Sequence, residues 1–306
     1  MIDLNCKTYL ILFLFFTPLI AFNQVNSTYT LKILGVVQDG GLPHLGSDRI
    51  CCEDFEQNRY VTSIMLINNE TNESYLFDAS PDINKQLNFM GKGIKKNLKG
   101  IFLTHAHIGH YTGLMYFGRE ALNSKLMKVY AMPRMKKFLE QNGPWSQLVS
   151  LENISITELN NKSNIVIDSN VTVQPIEVPH RAEFSETVGY KIYGPNKTAI
   201  FIPDIDKWYL WEKSIVDEIE NIDYVLIDAT FYDSKEVNYR DLSEIPHPFV
   251  VESIELFDSM KYEERNKIFF IHLNHTNPLL DKESDQYKFV KEKGYNVAEE
   301  GLNLKL

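Results

Sequence analysis

The stretch THAHIGHYTGL, residues 104–114, carries His105, His107 and His110 within six positions. It follows an apolar run, GIFLTH (100–105), and runs into an apolar helical pattern over 110–122. His105 and His107 are two residues apart, so on extended backbone their rings leave on the same side. His110 falls on the first turn of the predicted helix and can swing back to the same point. Neutral imidazole is a ligand for zinc and for iron, so the spacing makes a metal clamp. The remaining histidines are His44, His180, His247, His272 and His275.

Outward from this segment, short apolar or alternating runs predict strands at 30–38, 63–69, 74–80, 100–105, 128–132, 171–179, 186–193, 198–204, 224–230 and 267–273. Helical patterns lie at 82–90, 110–122, 133–141, 206–221, 249–261 and 284–293. Strands interleaved with helices indicate a layered α+β architecture rather than an all-β sandwich. Several predicted strands end in a polar residue: Asp78, His105, His180, Asp204, Asp228 and His272. Mixed sheets place their sites at such ends. No internal repeat or Pro- or Ser-rich linker interrupts the chain, so a single domain is expected over residues 27–306.

The histidine segment resembles the HxHxDH signature of the metallo-β-lactamase superfamily. Further stations of that fold follow in order: Asp78 in FDASPD, His180 in VPHRAEFSETVGYKI, Asp204 in FIPDID and His272 in FIHLNHTNP. Within that superfamily the chain looks like the coenzyme PQQ synthesis protein B family, through LGVVQDGGLPHLG, SPDINKQL, FIHLNHTNPLL and VAEEG. The resemblance implies an αββα four-layer sandwich, two mixed β-sheets flanked by helices. It implies that His105, His107 and His180 hold one metal, that His110 and His272 belong to a second, and that Asp204 bridges. The signature's fifth position should supply a carboxylate to the second metal, and here it is Gly109. His247 and His275 are spare groups for that gap. The expected cofactor is zinc, one or two ions, with iron as the alternative.

Asp204 and His247 are read as catalytic. Asp78, Asp228 and His275 are read as groups behind the ligands that hold them in place. The alternative for Asp204 is a helix N-cap ahead of KWYLWEKSIV. Gly40 and Gly41 are read as a turn. Trp208 and Trp211 fit packing against a sheet. Glu183, Ser185 and Glu186 are weaker candidates for substrate contact, and His44 for the mouth of the site. Loops 39–60, 142–150 and 233–250 are expected to shape the pocket.

The chain has 306 residues, with 31 Lys and Arg against 41 Asp and Glu, a formal charge of −10. That balance provides no basic face for nucleic acid or anionic lipid, so the expected partner is a small-molecule substrate. Apolar residues are 44% and charged residues 24%, an ordinary globular composition. Residues 9–22, YLILFLFFTPLIAF, follow Lys7 and carry no charge. At fourteen residues the run is shorter than the roughly 20 needed to span a bilayer. It reads as the core of a signal peptide over residues 1–24, or as an uncleaved anchor, and predicts export to the periplasm or medium. Beyond Cys6, the thiols are Cys51 and Cys52, two loop thiols or half of a structural metal site. The function expected is an exported metal-dependent hydrolase of an ester, amide, lactone or phosphodiester. The alternatives are a PQQ-synthesis-like oxidative enzyme using iron and a non-catalytic metal-binding protein, which Gly109 favours.

Overall fold

The computed structural model describes residues 28–48, 58–181, 183–237, 241 and 245–306. The predicted leader and the Cys51–Cys52 pair lie outside the described residues. Among the described residues, no helix is long and apolar enough to cross a membrane.

Two seven-stranded mixed sheets form the centre. The first contains β1 (Tyr29–Gly35), β2 (Ser63–Asn68), β3 (Ser74–Phe77), β4 (Leu98–Phe102), β5 (Met127–Ala131), β6 (Ile154–Glu158) and β14 (Asn303–Lys305), in the order β14-β1-β2-β3-β4-β5-β6. The second contains β7 (Ile165–Val166), β8 (Thr172–Glu177), β9 (Val188–Tyr193), β10 (Thr198–Ile202), β11 (Tyr224–Asp228), β12 (Ile268–Ile271) and β13 (Asn296–Val297), in the order β13-β12-β11-β10-β9-β8-β7. In each sheet one side is antiparallel and the other parallel, from β3 to β6 and from β10 to β13. Parallel neighbours need a crossover, and helices on the outer faces provide it.

Strand β10 shows why the layers stack this way. Its sequence alternates two buried faces: Ala199 and Phe201 turn to the core between the sheets, whereas Ile200 and Ile202 turn to the outer helices. A strand covered on both sides reads as a continuous apolar run, as TAIFI does. The inter-sheet core joins Leu31, Ile33, Phe77 and Phe102 to Val188, Tyr190, Phe201 and Ile271. Phe102 stacks on Tyr130 at 4.3 Å and on Phe77 at 5.0 Å, and Tyr190 meets both phenylalanines edge-on at 5.4 and 5.5 Å. The Tyr190 hydroxyl donates to the Leu103 carbonyl, so this sheet-to-sheet contact ends one residue before the metal-clamp segment. The outer face of the second sheet packs Ile215, Ile219, Val250, Ile254 and Phe257, and that of the first packs Ile83, Leu114, Phe117, Met135 and Leu139.

The ten predicted strands all have counterparts, and the helix predicted at 133–141 is Pro133–Gln141. Proline supplies its first residue, where no amide hydrogen is needed. The stretch 206–221 does not form one helix. Trp208–Leu210 is a 3₁₀ turn and only Ile215–Ile219 is α-helical, its start capped by Ser214. Lys207 and Trp211 take extended backbone on either side, with the Trp211 indole nitrogen bonded to the Glu177 carbonyl. The pattern at 110–122 likewise splits into an α turn, Ile108–Tyr111, and a 3₁₀ turn, Thr112–Phe117. Segment 142–150, expected as a pocket loop, holds the helix Trp145–Ser150, and Trp145 packs on Tyr111 and Phe138 instead.

Candidate metal centre

Asp78 follows β3 directly and is fully buried. Its backbone sits at φ 65°, in the left-handed region that costs a non-glycine residue of order 1–3 kcal/mol. The surroundings hold it there: its amide bonds the Phe102 carbonyl at 2.8 Å and its carbonyl accepts from Ser63 at 2.9 Å. Its carboxylate takes the Thr104 amide at 2.8 Å, the Thr104 hydroxyl at 2.9 Å and His110 Nδ1 at 2.7 Å. The Thr104 hydroxyl spends its one proton on Asp78, so at 3.0 Å from His105 Nδ1 it accepts. That network assigns the Nδ1–H tautomer to His105 and leaves its lone pair on Nε2.

The opposite wall repeats the device. Asp228, at the end of β11, accepts from the Thr230 amide at 2.9 Å, the Thr230 hydroxyl at 2.7 Å and the Ile205 amide at 3.1 Å. Thr230 has spent its proton in turn and accepts from His272 Nδ1 at 2.9 Å. His272 follows β12 at φ 65°, a second strained residue at the site. His180, two residues after the buried Val178, has Nδ1 3.2 Å from Asp206 Oδ1. Each of these rings is therefore gripped at Nδ1 and turns Nε2 toward the others.

The free nitrogens converge. The Nε2 atoms of His105, His110, His180 and His272 are buried without a hydrogen-bond partner, as are Asp204 Oδ2 and Asp39 Oδ1. Asp204 lies at the middle. Its Oδ2 is 3.0 Å from His110 Nε2, 3.2 Å from His272 Nε2 and 3.9 Å from His105 Nε2, and its Oδ1 is 3.6 Å from His180 Nε2. Three-residue sets with ligand atoms mutually within 4.8 Å include His105–His107–His180, Asp39–His110–His272 and His105–His110–Asp204. Buried polar atoms are nearly always paired, and leaving one unpaired costs about 1–3 kcal/mol. Six in one cluster, four of them imidazole Nε2 atoms, are the donor set of a cation site. The residues present therefore fit a metal.

Electrostatics agree with that reading. Burial drives His105 and His107 toward the neutral form, His105 well below the ordinary imidazole range with the neighbouring His110 adding to the effect. Burial opposes charge on Asp204 and on Asp39 as well, yet His272 and His110 outweigh it and hold both carboxyls below their usual range. Burial is outweighed at His110, where Asp78, Asp204 and Asp39 keep the ring protonated well above the ordinary range. His272 is raised likewise, by Asp204 and Asp39 against burial. Ionised carboxylates this deep require a positive counterpart, and in the metal-free protein protons on His110 and His272 supply part of it.

All six residues expected as ligands, His105, His107, His110, His180, Asp204 and His272, thus meet in one place. Asp78 and Asp228 hold ligand-facing rings from behind. Asp204 is not a helix cap. Asp206 Oδ1 lies against Nδ1 of His180, the nitrogen on the far side from the cluster. His247 bonds Asp228 through Nδ1 at 2.8 Å, which leaves Nε2 for the cavity that its ring lines. His275 belongs to none of these ligand sets among the described residues. It stacks on His44 at 4.2 Å, and both line a cavity of about 320 Å³ over the cluster with Gln38, Arg181 and Phe231. Neither His275 nor His247 enters the set with His110 and His272. Ser185 and Glu186 do structural work instead of facing substrate: Ser185 accepts from the Ala106 amide at 2.8 Å, and Glu186 caps Pro133–Gln141 through the Arg134 amide at 3.0 Å. Glu183 remains near His107 Nε2, at 3.5 Å. Asp39 is the group that sequence reasoning missed. It follows β1 by four residues and reads there as part of an Asp-Gly-Gly turn, which Gly41 completes at φ 71° with its amide on the Gln38 carbonyl at 2.8 Å.

The profile of the beta-lactamase superfamily domain matches residues 73–273. Over 316 aligned positions the chain is 24% identical to the coenzyme PQQ synthesis protein B of Methylococcus capsulatus, covering 90% of this chain and 99% of that protein. The corresponding protein of Gluconobacter oxydans is 24% identical over 307 positions, 90% and 97% of the two chains. Among solved structures, Zn(2+)-bound PqqB from Methylobacterium extorquens aligns with a TM-score of 0.76 at 21% identity, over 90% of this chain and 100% of that one. A diphosphatase from the PhnP family aligns at 0.66 and 20% identity, over 90% and 96%. The two buried Asp–Thr–His networks, the converging imidazoles and these matches together place the chain in the beta-lactamase superfamily, on the branch that resembles coenzyme PQQ synthesis protein B.

Proposed function

We propose that the protein is a zinc-dependent hydrolase of a small, polar ester, with a phosphodiester as the favoured class. The observation that carries this is the ring of partnerless Nε2 and carboxylate oxygens around Asp204, opening on a cavity that is lined mostly by polar side chains. Its size falls at the lower end of the roughly 300–1,000 Å³ typical of ligand sites. Arg181 and Asn274 line it and carry hydrogen-bond donors suited to an anion. The shared fold with a diphosphatase from the PhnP family is in keeping with a phosphoryl substrate.

A zinc ion held by these residues would supply a Lewis acid and would lower the pKa of a water there to about 7. Asp204, held ionised by His272, His110 and His105 against burial, accepts a hydrogen bond from the attacking water and directs its lone pair. His247, whose ring lines the cavity, is the candidate partner for the departing oxygen. Asp228 grips Nδ1 of that ring, so Nε2 is the atom that faces the cavity. A positioned acid–base group contributes typically 10²–10⁴-fold, so His247→Gln should lower kcat by about that factor. The test is purified, zinc-loaded protein assayed on a p-nitrophenyl phosphodiester, a phosphomonoester, a carboxylic ester and a lactone, with chelated protein as control. Chelator-sensitive turnover supports the reading, and no turnover on the whole panel contradicts it.

The full-length similarity to coenzyme PQQ synthesis protein B keeps a second reading open, an iron-loaded enzyme that consumes oxygen on the same histidines. Dioxygen uptake by iron-loaded protein separates the two. The apolar run 9–22 after Lys7 supports export, which N-terminal sequencing of protein from the periplasm or medium tests.

A further inference from the structure

Position 109 is a glycine in a helical turn, with no positive φ that would require one. The reason is space. A Cβ built on Gly109 would stand 2.2 Å from Asp39 Oδ1 and 2.9 Å from Asp39 Cα and Cγ. Asp39 thus fills the volume into which a side chain at 109 would project. Its Oδ1 is buried, has no hydrogen-bond partner, and lies 3.1 Å from His110 Nε2 and 3.6 Å from His272 Nε2.

The segment carrying Asp39 is pinned to the site. The Gln38 amide bonds the Leu273 carbonyl at 2.9 Å, one residue after His272, and Val37 bridges to both Val61 and Leu273. On the far side, a Cβ at Gly40 would run into the His44 ring at 2.3 Å, so the turn is packed as closely there as at Gly109. A carboxylate on so constrained a backbone is preorganised for a cation.

We propose that Asp39 is the carboxylate ligand of the second metal, transplanted from position 109 of the signature to the end of the first strand, and that Gly109 is small because Asp39 has taken the place. The proposal deepens the metal-centre reading and rests on it. It restores a full donor set, Asp39, His110 and His272 with Asp204 shared, to a site that looked deficient in the sequence.

The test is zinc per chain and zinc affinity, with thermal melting as the check on folding, none of which requires turnover. Wild type should take two zinc ions. Asp39→Ala and the isosteric Asp39→Asn should keep the first ion and bind the second more weakly by more than the ~10–100-fold usual for losing a group behind a ligand. Gly109→Ala should lower the melting temperature in the wild-type background but be tolerated beside Asp39→Ala, a non-additivity that direct contact demands. The exchange variant D39A/G109D should recover the second ion. Unchanged second-site affinity in both Asp39 variants, a wild type that takes one ion in excess zinc, or additive Gly109 and Asp39 effects would each overturn the proposal while leaving the His105–His107–His180 site standing. A wild type that binds no zinc would overturn the metal-centre reading itself.

Discussion

Thr104→Val removes one oxygen and keeps the shape of the side chain, so it isolates what the hydroxyl does. In the structure that hydroxyl donates to Asp78 at 2.9 Å and accepts from His105 Nδ1 at 3.0 Å, both partners being fully buried. The substitution deletes a hydrogen bond to a charged group, worth about 1.5–3 kcal/mol, and orphans the His105 Nδ1–H, at about 1–3 kcal/mol. The two losses share one network and do not simply add, so a stability loss of about 2–4 kcal/mol is expected. At roughly 2–4 °C per kcal/mol for a domain of this size, the melting temperature should fall by about 5–15 °C. The larger consequence concerns the ring. Without Thr104 nothing fixes the Nδ1–H tautomer, so the lone pair that faces the cluster is no longer guaranteed. Zinc affinity should fall about 10–100-fold, as for other groups that orient a metal ligand. Thr104→Ser keeps the hydroxyl and should bind zinc as wild type does. The assay is competition with a chromogenic zinc chelator, paired with thermal melts of the chelated protein. If Thr104→Val melted lower but bound zinc with wild-type affinity, the tautomer argument would be wrong and the hydroxyl only structural.

Other predictions follow from the same networks. Zinc and protons compete for Nε2; His110 and His272 are both raised above the ordinary imidazole range, whereas in the first set only His180 is raised and His105 and His107 are lowered. Affinity at the second set should therefore drop first and more steeply as pH falls, with more protons released per ion than at the first set; calorimetry in buffers of different ionisation enthalpy reads that number. Tyr190→Phe strands the Leu103 carbonyl between the sheets and should cost about 1–2 kcal/mol in denaturant melts, with zinc stoichiometry unchanged. Asp206→Asn weakens the grip on His180 Nδ1 from a half-exposed position, so its effect on zinc affinity should be smaller than that of Thr104→Val when the two are titrated side by side.

The sequence exposed the sheet strands because most are covered on both faces and read as apolar runs, as TAIFI and YVLID do. It hid four strands: β7, β13 and β14 are two or three residues long, too short to show a period, and β6, the edge strand ISITE, carries only two apolar residues, Ile154 and Ile156. It overstated 206–221 because tryptophans at helical spacing serve a 3₁₀ turn and an extended connection equally well. At the site, the strand-end histidines and Asp204 were legible one by one, since each follows an apolar run. The Thr104 and Thr230 hydroxyls were not, because a threonine's role depends on which partner takes its proton. Asp39 was hidden most completely. Asp-Gly-Gly is ordinary turn chemistry, and only the fold brings it against Gly109, seventy residues away. The one available signal was the pairing of a strand-end acid before two glycines with a signature whose own acid is missing.

Anomalous scattering at the zinc edge from crystals of zinc-loaded protein reads whether these side chains enclose metal. Two peaks are expected on either side of the Asp204 carboxylate, one among His105, His107 and His180 and the other among Asp39, His110 and His272. Zinc found only elsewhere on the protein, with the Nε2 atoms of His105, His110, His180 and His272 facing one another around no peak, would contradict that expectation.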